Sequence, residues 1–157
     1  MTAFQLVGLD AALFSPLFDL SDAELAAHGA VRRTADESPG FPCRISLRDA
    51  DAGEQLLLLP FEHQPERSPY RASGPIFVRR GAVRAALRPG ELPPYVTSRL
   101  MSVRGYDREH MIVAAAVCDG VALGAEIQRQ FADPAVAYLH LHNARRGCFS
   151  CRVDRVA

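Results

Sequence analysis

Apolar and polar positions alternate strictly in the C-terminal third of the chain. In Val136–His142, Ala137, Leu139 and Leu141 fall on one side of an extended strand, and Tyr138, His140 and His142 fall on the other. Arg99–Tyr106 and Cys148–Arg155 read as further strands, and Met111–Cys118 is an unbroken apolar run. The rhythm then changes: Leu123, Ile127 and Phe131 recur every four residues, which predicts a helix over Val121–Ala132 that Asp133-Pro134 ends. Asn143–Gly147 supplies a hairpin loop. Both faces of Met111–Cys118 are apolar, which predicts a central strand buried on both sides. Short connections flank the helix, so the Val136 strand is expected to run parallel to the Met111 strand through a right-handed crossover.

The N-terminal part is more broken. Phe4–Leu9 predicts a short strand, and Ala11–Leu20 a helix interrupted by Pro16. Ser21-Asp22-Ala23-Glu24 has the spacing of a capping box, opening a short helix that stops at Gly29. Ala30–Ala35, Gln55–Phe61 and Pro75–Val78 read as strands. Val83–Leu87 reads as a helical turn, and Ser38–Arg44, His63–Ser73 and Pro89–Tyr95 read as loops. The elements add up to an α+β protein with one domain over residues 1–157. It has a mixed, mostly antiparallel sheet, a C-terminal β-β-α-β-β unit and short N-terminal helices. A helix is expected on one face of the sheet and N-terminal material on the other.

Composition narrows the function classes. A chain of 157 residues, 48% hydrophobic, can bury a core without disulfides or metal. All 18 basic residues are Arg, and 18 acidic residues balance them to zero. Without net positive charge, nonspecific binding to nucleic acid loses its main driving force. Met1–Leu20 has no cationic start or continuous apolar core, so no signal peptide is expected, and no apolar run is long enough to span a bilayer. A cytoplasmic location follows as the expectation, with the four Cys residues as reduced thiols. The partners left are a small-molecule ligand or a second copy in a homodimer.

Chemistry concentrates on one hairpin. If the turn closes symmetrically about Arg145, then Tyr138, His140, His142, Cys148, Ser150 and Arg152 share a face. Three active readings fit. His140, His142 and Cys148 could ligate a metal, since two His two apart on a strand share a face. Cys148 could be a nucleophile with His142 as its base. Arg152 and the two His could hold a small anionic ligand, with Tyr138, His140 and Arg152 the binding candidates. A polar layer in which these residues simply hydrogen-bond one another outweighs each of the three, so no metal is expected and the cofactor stays undetermined. Cys148-Phe149-Ser150-Cys151 is a single Cys-x-x-Cys whose side chains diverge on a strand, which argues against a disulfide or a shared metal. No phosphate loop, dinucleotide fingerprint, nucleophile elbow or His-Glu-x-x-His helix is present.

Several segments together resemble a known family. They are Phe41-Pro42-Cys43-Arg44, Gly53–Leu58, Tyr70–Val78, Arg104-Gly105-Tyr106-Asp107 and Tyr138–Phe149, the last carrying His-x-His-Asn followed by Gly-Cys. Their order and wording are similar to the bacterial domain of unknown function 1203. The resemblance implies a small bacterial protein of one domain and carries over no catalytic residue.

Overall fold

The structure is a computed structural model describing residues 1–157. Its strands are β1 (Phe4–Val7), β2 (Val31–Thr34), β3 (Pro42–Cys43), β4 (Arg48–Asp49), β5 (Gln55–Gln64), β6 (Ala72–Arg79), β7 (Leu100–Tyr106), β8 (Ile112–Asp119), β9 (Tyr138–Asn143) and β10 (Phe149–Arg155). Three short α-helices accompany them: α1 (Asp22–Ala27), α2 (Pro94–Thr97) and α3 (Leu123–Phe131). The Ser21 capping box forms as its spacing predicts, with both reciprocal bonds made. The broken segment before it becomes two 3₁₀ turns, Ala11–Leu13 and Ser15–Asp19, the second with Pro16 at its start.

The strands form two five-stranded sheets rather than one. The C-terminal sheet has the order β1-β10-β9-β7-β8, all antiparallel; the other has the order β2-β5-β6-β3-β4, with β3–β6 its one parallel pair. On one face of the C-terminal sheet, Met101, Val103, Leu139, Leu141, Cys151 and Val153 pack against Leu123, Ile127 and Phe131 of α3. This is the helix face that the four-residue spacing predicts. Over β9 and β10, the opposite face is covered by the second sheet, where Leu57, Leu59, Ile76 and Val78 meet Phe149 and the N-terminal Phe14, Phe18 and Leu25. The N-terminal material expected there is thus itself a sheet.

Val83–Leu87 forms no helical turn, and a second expectation is overturned. Met111–Cys118 does not lie at the centre of its sheet: β8 is the outer edge strand. Ile112, Ala114, Ala116 and Cys118 are half-buried toward α3, while Met111, Val113, Ala115 and Val117 are exposed. The reason lies in connectivity. A tight hairpin pairs β8 with β7, and α3 then returns the chain over β7 to β9. β8 and β9 run in the same direction as expected, but β7 lies between them. The central strand is β9, and β7, whose Ser102 and Arg104 are polar yet half-buried, separates it from the β8 edge.

Close approach between the two halves of the fold is possible because residue 8 lacks a side chain. A Cβ on Gly8 would collide with the main-chain carbonyl of Ile45, and the neighbouring Leu9 amide donates to the Arg44 carbonyl at 2.8 Å. Gly8→Ala is therefore expected to destabilise the fold by about 2–3 kcal/mol, the usual range for forcing atoms into a packed interior. Urea unfolding measures this directly; an unchanged midpoint would show that the Ile45 backbone yields freely.

Candidate metal centre

Alternation in β9 sends Tyr138, His140 and His142 to the face away from α3, as their positions predict. The hairpin register differs from the symmetric one. Phe149 lies opposite His142, and beyond a bulge between Phe149 and Cys151, Arg152 lies opposite His140 and Asp154 opposite Tyr138. Arg152 keeps its predicted face, with its guanidinium carbon 4.0 Å from the centre of the Tyr138 ring. Phe149 takes the place expected for Cys148. The Cys148 thiol instead accepts from Arg44 at 3.2 Å and from Asn143 at 3.7 Å, and it has no part in the imidazole cluster. Ser150 is the bulged residue and is buried, while Cys151 belongs to the helix-side core. All four cysteines are free thiols.

The third imidazole comes from the other sheet. The apolar alternation of Leu57, Leu59 and Phe61 continues through His63, because β5 runs on to Gln64 instead of ending at Phe61. His63 thereby faces β9. Its ring centroid lies 5.0 Å from that of His142 and 6.2 Å from that of His140. Each of the three residues offers a ring nitrogen within 4.8 Å of the other two. The period-two pattern reaching from Phe61 to His63 is the signal for this residue; an irregularity between Phe61 and Gln64 then turns Gln64 toward Tyr138 as well, and the Pro-containing segment after it obscures the strand's true end.

These rings pack closely on aromatic neighbours. Phe149 stacks on His63 at 5.3 Å with an interplanar angle of 5°, and meets His140 and His142 edge-on at 5.2 and 5.8 Å. Tyr106 and Tyr138 stack on each other and flank His140. The Tyr138 hydroxyl accepts from Gln64 at 3.0 Å and lies 2.7 Å from His110 Nδ1. His142 Nδ1 is 2.9 Å from the Gly147 carbonyl. Since a carbonyl can only accept, Nδ1 carries the proton and the Nε2 lone pair is left free.

The face is not an open cleft. His140 and His142 are 3% and 1% exposed, closed in by β5, and two surface grooves lie elsewhere, one around Gly29, Leu58 and Pro75 and one around Met1 and Gln128. Yet it is not a satisfied polar layer either. His63 Nδ1, His140 Nδ1 and His142 Nε2 are all buried with no hydrogen-bond partner. Burial holds all three imidazoles below their ordinary pKa, with neighbouring Arg and His charges adding to the effect. His140 is lowered from 6.5 to about 3 and His142 to about 4, the latter despite the opposing bond to Gly147.

The metal-free protein is consequently expected to be acid-sensitive. Above pH 6.5, folded and unfolded chains both hold these two imidazoles neutral. Below that pH the unfolded chain takes up two protons that the fold refuses until about pH 4 and about pH 3, so stability falls as pH falls through this window. Between pH 7 and pH 5 in a chelator, urea unfolding is expected to lose about 4 kcal/mol, on the order of 1.4 kcal/mol per pH unit below 6.5 for each imidazole. His140→Leu halves the loss; a midpoint independent of pH over this range contradicts the arrangement.

No helix is long and apolar enough to cross a membrane. No curated protein and no solved structure matches the chain. The model of one protein family does match, over residues 40–155, a span that includes His63, His140 and His142 and every other side chain placed around them except those before β3. That family is described as a protein of unknown function, and the chain belongs to it: DUF1203.

Proposed function

We propose that this protein binds a transition-metal ion of the zinc class through His63, His140 and His142. The observation that carries the reading is three imidazoles that each offer a ring nitrogen within 4.8 Å of the other two, and that each hold one buried nitrogen without a hydrogen-bond partner. Each unsatisfied buried nitrogen costs about 1–3 kcal/mol, and a single ion accepts all three lone pairs. Ligands that are all imidazole suit zinc, cobalt, nickel or copper, and not the oxygen-seeking magnesium or calcium. The bond from His142 Nδ1 to the Gly147 carbonyl is the kind of support that fixes a ligating tautomer. Nitrogens around tetrahedral zinc stand about 3.3 Å apart at a Zn–N length of about 2.0 Å, so imidazoles whose nitrogens lie within 4.8 Å of one another draw together by at most about 1.5 Å on an ion.

Three protein ligands leave one coordination position open, as in sites where zinc activates a water or polarises a carbonyl. His63 is half-buried, which supports access from its side. Four free thiols fit a reducing, cytoplasmic setting in a bacterium. Purified protein incubated with zinc or cobalt and then dialysed is expected to retain about one equivalent by elemental analysis. At free metal 100-fold above Kd, the ion adds about 2.7 kcal/mol to stability. His63→Ala and His140→Ala each remove that retention. Uptake below a tenth of an equivalent by the unaltered protein sinks the reading.

A second reading, assembly into a homodimer, draws on β8. It is an uncharged eight-residue edge apart from its terminal Asp119, whereas natural edges are usually short, charged or covered. Its sequence is nearly self-complementary about Ala115, so antiparallel pairing of two copies would set Val113 against Val117. Sedimentation equilibrium at micromolar concentration is expected to give twice the 17.1 kDa chain mass, and Ala115→Pro to return it to the monomer mass. A monomer at all concentrations excludes it.

A further inference from the structure

Cations dominate the immediate surroundings of the imidazole triad. Cross-strand pairing sets Arg104 of β7, His140 of β9 and Arg152 of β10 in a single row. The leading charged influences on the three imidazoles, besides one another, are Arg104, Arg152 and Arg44. Arg152 is balanced by Asp154 at 2.6 Å. Arg104 is not balanced: its guanidinium reaches only the Ser102 hydroxyl, at 3.3 Å, and forms no ion pair although it is half-buried. A divalent ion held by three neutral imidazoles beside this guanidinium would leave several positive charges at a poorly solvated site. An anion in the open position would offset that charge.

The direction from which that anion arrives is also visible. The second sheet lies over β9 and β10, and the β5–β6 connection reaches β7 at Tyr106, where Tyr70 meets the ring edge-on at 6.3 Å; the outward residues of β8 stay exposed. In the register, Arg104 lies beside Ala115 and Ser102 beside Val117, on the same face as His140 and His142. Val113 and Val117 are 48% and 62% exposed there. A guanidinium without a partner therefore stands between a buried triad and an open apolar shelf.

Resting on the metal reading above, we infer that the shelf takes a small carboxylate with an apolar body. Its carboxylate fills the open coordination position and is held by Arg104, and its hydrocarbon part lies on Val113, Ala115 and Val117. A planar guanidinium suits a carboxylate in two-point contact, and the shelf selects for the rest of the ligand.

The test uses cobalt-loaded protein of verified metal content, titrated with acetate, butyrate and hexanoate and read by the visible cobalt absorption. Binding is expected to tighten roughly two- to fourfold per added methylene, as partial to full burial of each CH₂ implies. Hexylamine is expected not to bind. Arg104→Met should retain the cobalt and lose about tenfold in hexanoate affinity, while Val117→Ser should flatten the chain-length dependence. Equal affinity for acetate and hexanoate, unchanged binding by Arg104→Met, or a response to inorganic phosphate alone would each overturn the inference while leaving the metal site standing. Failure of the unaltered protein to take up cobalt overturns both.

Discussion

The guanidinium of Arg44, only 1% exposed, holds the register of the hairpin on which the imidazole face is built. It donates to the Phe149 carbonyl at 2.8 Å and the Pro42 carbonyl at 2.7 Å, and its third contact is the Cys148 thiol. The Tyr95 hydroxyl donates to the next carbonyl, that of Ser150, at 2.9 Å. These two carbonyls belong to the bulge and are out of step with the ladder to β9. Buried carbonyls left unpaired would be costly, and bonds to a charged donor are worth about 1.5–3 kcal/mol each. The bulge persists because Arg44 and Tyr95 satisfy it. It also sorts side chains: Phe149 turns to the imidazoles and Cys151 to the helix, two residues that simple alternation would put on the same side.

A site assembled in this way draws on both sheets. β9 brings His140 and His142, β5 brings His63, and Phe149 wedges among all three rings. The aromatic packing excludes water from one side, while the β7–β8 side stays open beyond Arg104.

How much of this was legible in the sequence varies by element. The period of four in Leu123, Ile127 and Phe131 gave the helix and the face it buries, and the period of two in β9 gave the shared face of Tyr138, His140 and His142. Both are strong patterns carried by large residues. β8 misled because Ala and Val are apolar in kind but small, so an exposed row of them costs little, and hydropathy could not separate an edge from a centre. Cys148 was placed with the imidazoles because a symmetric hairpin was assumed, and nothing local in Cys148–Ser150 announces a bulge whose carbonyls are satisfied by Arg44 and Tyr95, far away in the chain. His63 was hidden for a related reason: β5 extends past Phe61 because β6 and β9 hold it, which is a tertiary fact.

The two ends of the C-terminal sheet are unlike. At β1, Gly90 donates to the Phe4 carbonyl, Gln5 bonds the Leu87 carbonyl and Arg84 the Gly8 carbonyl, so the segment 84–90 lies along that edge. At β8 no strand or segment does so. A sheet with one sealed end and one bare end has a definite stoichiometry built into it. Two copies joined through their bare ends consume both, and nothing remains for a third to add to, so association by this route terminates and cannot propagate into a fibre.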